Sequence, residues 1–63
     1  MENVYDVTLS TGESYTVTTE KHHDDHTDEG FKRHLREAIK TVAANVIGGI
    51  IIHEYHLRRP AKR

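Results

Sequence analysis

A stripe of apolar residues at helical spacing constrains the fold of this chain more than any other feature. From Phe31 to Val46 the apolar side chains recur so that they share one face of an α-helix. They are Phe31, Leu35, Ala38, Ile39, Val42, Ala43 and Val46. Thr27 is a suitable N-cap, acidic residues follow it in the first turn, and Gly48-Gly49 is a stop signal. The pattern predicts a helix over residues 28–46.

The first third of the chain alternates apolar and polar residues, as a half-buried strand does. Residues 4–19 are therefore predicted to form a β-hairpin whose turn contains Gly12. A two-residue loop would put the apolar residues of the two strands on opposite faces, so we expect a loop of odd length. With the loop Thr11-Gly12-Glu13, the predicted partners are Leu9 with Tyr15, Val7 with Val17 and Tyr5 with Thr19.

Residues 50–57 begin with three isoleucines and are predicted to form a third strand. One face would carry Ile51, His53, Tyr55 and Leu57, and the other Ile50, Ile52, Glu54 and His56. The polar segment 20–27 is expected to be a loop, and residues 58–63 a basic tail in which Pro60 stops the strand. A right-handed crossover through the helix gives the sheet order 2-1-3, with the third strand antiparallel to the first.

These elements predict a small α+β domain of 63 residues, in β-β-α-β order, with one helix packed on one face of a three-stranded sheet. A chain of this size buries only about 60% of its unfolded surface and usually needs a further staple. Because the chain has no cysteine, a histidine-bound metal or a second chain is left for that role. Ile50 and Ile52 are assigned to the uncovered sheet face, so we expect them to form a homodimer interface.

Charge is sorted along the sequence, although the net charge is only −1. Residues 1–30 hold eight acids and one base, and residues 31–63 hold eight bases and two acids, so the halves carry −7 and +6. A small protein polarised in this way is expected to meet a charged partner. The candidate partner-binding residues are the acids before and at the helix start and the bases that follow: Asp24, Asp25, Asp28, Lys32, Arg33, Arg36, Lys40, Arg58 and Arg59.

Two kinds of partner fit these charges. A protein partner is favoured, because the predicted sheet has two open edges and one open face, and the charge asymmetry can steer association. Nucleic acid is the alternative, since the same bases can neutralise phosphates, although aromatic residues for base stacking are scarce. An enzyme with a small-molecule substrate is not expected, because the sequence has no nucleophile elbow, phosphate-cradling glycine loop or HExxH motif.

Histidine is abundant, with six residues in the chain. His22, His23 and His26 lie among acidic residues and are candidate ligands for zinc or nickel, which give a third hypothesis of a metal-binding protein. The plainer interpretation is a solvated acidic loop, and no other cofactor is expected. His53 and His56 would lie on opposite faces of a strand, which makes them a poor pair of ligands.

The sequence gives no indication of a membrane or secretory segment. Its start lacks a basic stretch followed by an apolar run. The longest weakly polar stretch, Val42 to Ile52, has 11 residues, whereas crossing a bilayer takes about 20. We therefore expect a soluble, cytoplasmic protein.

The predicted last strand runs into a tail of arginine, proline and lysine, from His56-Leu57-Arg58-Arg59-Pro60 through Arg63. With a hairpin and one helix before it, this plan resembles the short bacteriophage-encoded inhibitors of bacterial RNA polymerase. The resemblance covers most of the chain in element order and little of it in sequence. It implies a non-catalytic inhibitor or regulator of a host enzyme, with Arg58 and Arg59 among its contact residues. The His/Asp-rich loop and the isoleucine run have no counterpart in that family.

Overall fold

The computed structural model describes residues 2–43 and 49–61. Two strands, β1 (Asn3–Leu9) and β2 (Ser14–Thr19), precede helix α1 (Asp28–Val42), and strand β3 (Ile52–Arg59) follows it. β1 lies in the centre of the sheet, and both neighbours are antiparallel to it, in the order β2-β1-β3. The prediction of a small α+β domain with this sheet order is confirmed.

The apolar stripe of α1 covers one face of the sheet. Phe31, Leu35 and Ile39 are fully buried, each 0% exposed, and so are Tyr5 and Val7 of the central strand. The ring centroid of Phe31 lies 4.9 Å from that of Tyr5, within the range of centroid separations that aromatic pairs favour. The core is completed by Leu9, Val17, Ala43, Ile50 and Ile52.

The hairpin loop has three residues, so the prediction of an odd length is confirmed. Leu9 donates its N–H to the Glu13 carbonyl at 2.8 Å, and Gly12 donates to the Leu9 carbonyl at 2.9 Å. Gly12 therefore takes the last loop position, where its φ of 94° is one that glycine adopts without strain. The loop thus starts at residue 10, one residue earlier than predicted.

That earlier start displaces the predicted strand register by two residues. Val7 faces Tyr15, and Tyr5 faces Val17. The predicted partners are therefore wrong, but a displacement of two leaves every side chain on the face assigned to it, because side chains alternate with a period of two.

Helix α1 starts where predicted and ends earlier. The Thr27 hydroxyl accepts the Gly30 N–H at 3.0 Å, so Thr27 is the N-cap. At the other end Ala43 leaves helical geometry, with φ −124° and ψ 59°. The last helical residue, Val42, is 75% exposed, whereas Ala43 directly after it is buried in the core. The predicted continuation over residues 44–46 lies outside the described residues.

Across residues 2–43 and 49–61, no helix combines the length and the apolar character that crossing a membrane requires.

Strand β3 differs from its prediction in bounds and in shape. It begins at Ile52 and extends to Arg59, so Arg58 and Arg59 belong to the strand and not to a tail. The pairing with β1 skips His53 and Arg58, each of which forms a bulge. Because His53 is an extra residue, Ile52 turns to the same side as Tyr55, against the predicted assignment of the two faces.

The predicted dimer interface is therefore misplaced. Ile50 and Ile52 are only 7% and 5% exposed, because both lie in the core of the chain itself. The other sheet face is mostly polar instead. It carries Asp6, Thr8, Ser14, Thr16, Thr18, Glu54, His56, Arg58 and Arg59, with the buried Val4 among them. A homodimer stays a prediction, but the apolar surface predicted for its interface is buried within the chain itself.

Candidate functional site

The structure divides the candidate cationic residues into paired and unpaired groups. The Lys32 ammonium lies 3.2 Å from the Asp28 carboxylate, and that of Lys40 lies 3.8 Å from Glu37. In the described part of the chain, the other bases of α1 and the last base of β3 have neither an ion pair nor a side-chain hydrogen bond; they are Arg33, Arg36 and Arg59. These three side chains are the cations left to a partner.

Arg58 belongs to the paired group. Its Nε donates to Asp6 Oδ2 at 2.9 Å, and its Nη2 lies 2.9 Å from Asp6 Oδ1. This two-pronged geometry matches the planar guanidinium to the carboxylate. The resemblance implies that Arg58 contacts a partner. To do so, Arg58 would have to give up its bond to Asp6.

Of the four lysines and arginines of α1, three follow the flank that begins beside β3. Asp28, at the start of α1, accepts a hydrogen bond from the Tyr55 hydroxyl of β3 at 3.0 Å and also contacts Lys32. Arg36 and Lys40 follow Lys32 at four-residue intervals, so they share its side of the helix. We call Lys32, Arg36 and Lys40 the cationic strip.

The cationic strip borders an unpaired strand edge. β3 pairs with β1 on one side, and among the described residues no strand pairs with its other side. Bulges at His53 and Arg58 bound a regular stretch between them, Glu54–Leu57. An edge of this kind presents free backbone donors and acceptors, although the bulges limit how long a strand can pair there.

Asp28 is a structural acid rather than a free contact residue. The hydrogen bond from Tyr55, and after it the bond from Lys32, lower the pKa of the Asp28 carboxyl. Burial, together with the bond to Asp28, raises the pKa of the Tyr55 hydroxyl. The candidate acids therefore fall into two kinds. Asp28 is held by contacts within the chain, whereas Asp24 and Asp25 are exposed and lie in a 3₁₀ turn, His23–Asp25.

Asp24 and Asp25 border an open cleft of about 510 Å³. Its lining consists of Asn3, Glu20, His22, Asp24, Asp25, Pro60 and Ala61. Asn3, only 5% exposed, holds the two sides together: its side chain donates to the Lys21 carbonyl at 2.9 Å and accepts the Ala61 N–H at 2.8 Å. The sequence pattern missed Asn3, because a single amide at the start of a strand carries no periodic signal.

The structure brings together two of the three predicted metal ligands and adds a third. The rings of His22 and His23 stack at 4.3 Å, and with Asp24 they place three ligand atoms within 4.8 Å of one another. His26 is not part of this group. Its ring instead lies 5.9 Å from that of Phe31.

Tyr5 fixes the position of His23. The Tyr5 oxygen accepts the backbone N–H of His23 at 3.0 Å and lies 3.0 Å from Nδ1 of the same residue. Burial raises the pKa of the Tyr5 hydroxyl, an effect that the His23 N–H partly offsets. The polar loop is therefore anchored to the central strand through a side chain that the sequence assigned to the core alone.

Thr19 and His34 have the geometry of a hydroxyl beside a base. Thr19 Oγ1 lies 2.7 Å from His34 Nε2, and burial, with the charges of Lys21 and His26, lowers the pKa of His34. The Thr19 oxygen also accepts the Lys21 N–H at 3.1 Å, and neither Thr19 nor His34 lines the cleft. The pair links β2 to α1.

Comparisons with protein-family models, with curated proteins and with solved structures gave no match to this chain.

Proposed function

We propose that this protein is a non-enzymatic binding module that docks on an acidic segment of a partner protein. The docking surface is the cationic strip of α1 together with the neighbouring edge of β3. The observation that carries the proposal is Arg36, a half-buried arginine that has no acidic partner in the described part of the chain. Its spacing from Asp28 and Lys32 assigns it to the flank of α1 that begins beside the open edge of β3.

Arg36 lies in the middle of the cationic strip. Lys32 and Lys40 lie one turn to either side of it, and each has a carboxylate of its own within 4.0 Å, at 3.2 and 3.8 Å. An arginine whose stem is partly covered keeps its planar donors in a restricted orientation, which favours a two-pronged bond to a carboxylate. A glutamate or aspartate of the partner would give Arg36 the carboxylate that Lys32 and Lys40 already have.

The β3 edge offers a second mode of recognition to the same partner. An extended segment can pair with Glu54–Leu57 through backbone hydrogen bonds. Side chains of an added strand alternate between the two faces, so every second one would lie on the helix side, next to the cationic strip. The surface therefore selects a segment with acids at alternate positions.

The other sheet edge suits such a partner less well. β2 lies between two acids, Glu13 before it and Glu20 after it. These charges would repel an acidic strand, whereas the cationic strip attracts it. For an acidic strand, the charge asymmetry seen in the sequence thus favours the β3 edge over the β2 edge.

Nucleic acid would also be attracted to the cationic strip. Strand pairing, however, is available only to a polypeptide. Inhibition of a host RNA polymerase, implied by the resemblance, is one form that protein docking would take, and it stays a prediction.

The test is a nuclear magnetic resonance titration of ¹⁵N-labelled protein with three probes. They are a peptide of alternating valine and glutamate, its lysine counterpart, and a short DNA duplex, at low and high salt. We expect the glutamate peptide alone to shift the amides of Glu54–Leu57 and of the α1 residues next to Arg36, with the β2 amides unmoved.

Three outcomes would overturn the proposal: no shift with the glutamate peptide, shifts confined to β2, or equal shifts with the lysine peptide. Salt-sensitive binding of the DNA duplex without binding of the glutamate peptide would assign the cationic strip to nucleic acid.

A further inference from the structure

We propose that His22, His23 and Asp24 form a binding site for Zn²⁺. Two imidazoles and a carboxylate are donors that zinc takes in proteins, and a bound water would complete four-coordination. The site is separate from the cationic strip, because none of its three ligands belongs to α1, and two of them, His22 and Asp24, line the cleft.

The donor atoms lie close enough together for one ion to gather them, since all three are within 4.8 Å of one another. His23 Nε2 lies 3.4 Å from Asp24 Oδ1, and His22 Nδ1 lies 3.7 Å from Asp24 Oδ2. Zinc bonds of about 2.0–2.1 Å in a tetrahedron place neighbouring ligand atoms about 3.3 Å apart. The His22 ring, stacked on that of His23 at an angle of 25°, must turn for both in-plane lone pairs to meet one ion, and the exposed Asp24 carboxylate must rotate as well.

The ring of His23 is already held in a suitable orientation. When zinc binds Nε2, the ring proton resides on Nδ1, and the Tyr5 oxygen lies 3.0 Å away to accept it. An oxygen acceptor behind a ligating histidine is the arrangement that orients such ligands in metal sites. Because Tyr5 is 0% exposed, this acceptor is fixed by the core.

Zinc binding would break two hydrogen bonds of the free protein, which lowers the expected affinity. Zinc takes the Nδ1 lone pair with which His22 accepts the Asp24 N–H at 3.1 Å, so the cap of the 3₁₀ turn is lost. The Tyr5 hydroxyl gives up His23 Nδ1 as an acceptor. Glu20 and Asp25 line the same cleft and add attraction for a cation. We therefore expect micromolar binding, weaker than that of a closed structural site.

A bound ion would tie the polar loop to β1 through His23 and Tyr5. A domain of 63 residues without cysteine has no disulfide for this purpose. Since zinc binds the folded chain, its addition should raise the melting temperature in a concentration-dependent way.

The test is isothermal titration calorimetry of untagged protein with zinc chloride. We expect one ion per chain, and binding at least about tenfold weaker in His22→Ala and in Asp24→Asn. His26→Ala and His56→Ala are the matched controls, because each removes a histidine outside the cluster; both should bind zinc as the parent chain does.

A second measurement needs no variant. In ¹⁵N spectra of the imidazoles, zinc should shift the resonances of His22 and His23 and leave His53 and His56 unchanged. Binding that His26→Ala weakens as much as His22→Ala, shifts spread over all six histidines, or no binding at millimolar zinc would each overturn the site.

Discussion

Arg58 and Asp6, 52 residues apart in sequence, are joined by two parallel contacts of 2.9 Å across β3 and β1. The bond lies on the polar sheet face, next to the bulge that Arg58 itself forms. A two-pronged contact has better-defined geometry than an ordinary surface pair. It ties the end of the chain to the central strand and removes Arg58 from the cations that a partner would find free.

We expect Arg58→Ala to lower the free energy of unfolding by about 0.5–1 kcal/mol, since both side chains are partly exposed and solvent screens the pair. Urea denaturation of the parent, Arg58→Ala, Asp6→Ala and the double variant gives the coupling energy. If Arg58→Ala and Asp6→Ala were strictly additive, the contact would have no energetic role.

The hydrogen bond from Tyr55 to Asp28 predicts a stability change in acid. It lowers the pKa of Asp28 below the value of 3.8 that the unfolded chain has. The stabilisation is therefore present above pH 3.8 and is lost as the pH falls through the folded-state pKa, because the unfolded chain takes up the proton first.

Tyr55→Phe should consequently be less stable than the parent chain at pH 7, and the difference should shrink below pH 3.8. Thermal unfolding between pH 7 and pH 2 measures it. Tyr15→Phe is the control, because its hydroxyl donates to Glu13, an exposed glutamate beside the turn. A difference that did not change with pH would show that Tyr55 acts through packing alone.

His34 predicts a second change of stability with pH, at a higher pH than that of Asp28. Burial, with the charges of Lys21 and His26, lowers its pKa below the ordinary 6.5. The unfolded chain thus binds the proton first, and stability is full above pH 6.5 and falls as the pH drops from there to the folded-state pKa.

Replacing His34 should make this decline shallower. We expect His34→Gln to lose less stability than the parent between pH 7 and pH 5, in urea denaturation at each pH. His56→Gln removes an exposed histidine and should follow the parent curve. Equal slopes for all three chains would contradict the assignment to His34.

The helix and the strand faces were predictable because burial imposes periods that survive in the sequence. Phe31, Leu35 and Ile39 reach the core as their spacing indicates. Register was not predictable to the residue, because sliding β2 by two positions buries the same side chains. Gly12 decided between the two registers through its φ, which the sequence pattern alone did not specify.

The bulge at His53 was hidden for a related reason. Three successive isoleucines satisfy either alternation, so nothing in the sequence showed that Ile52 and Tyr55 share a face. The contacts that define the histidine cluster were hidden as well. The Tyr5 hydroxyl meets His23 only after the chain has turned back on itself, and such a contact leaves no periodic trace.

Charge reversal at Arg36 tests the account of binding most directly. Arg36→Glu reverses the charge of the one strip residue without an acidic partner in the described chain, whereas Lys21→Glu makes the same change just after β2, the strand at the other edge of the sheet. The measurement is the anisotropy of a labelled valine–glutamate peptide titrated with parent, Arg36→Glu and Lys21→Glu proteins of matched melting temperature. We expect at least about tenfold weaker binding for Arg36→Glu, roughly 1.4 kcal/mol, and less than about a twofold change for Lys21→Glu. Equal affinity for Arg36→Glu and the parent would contradict the proposal.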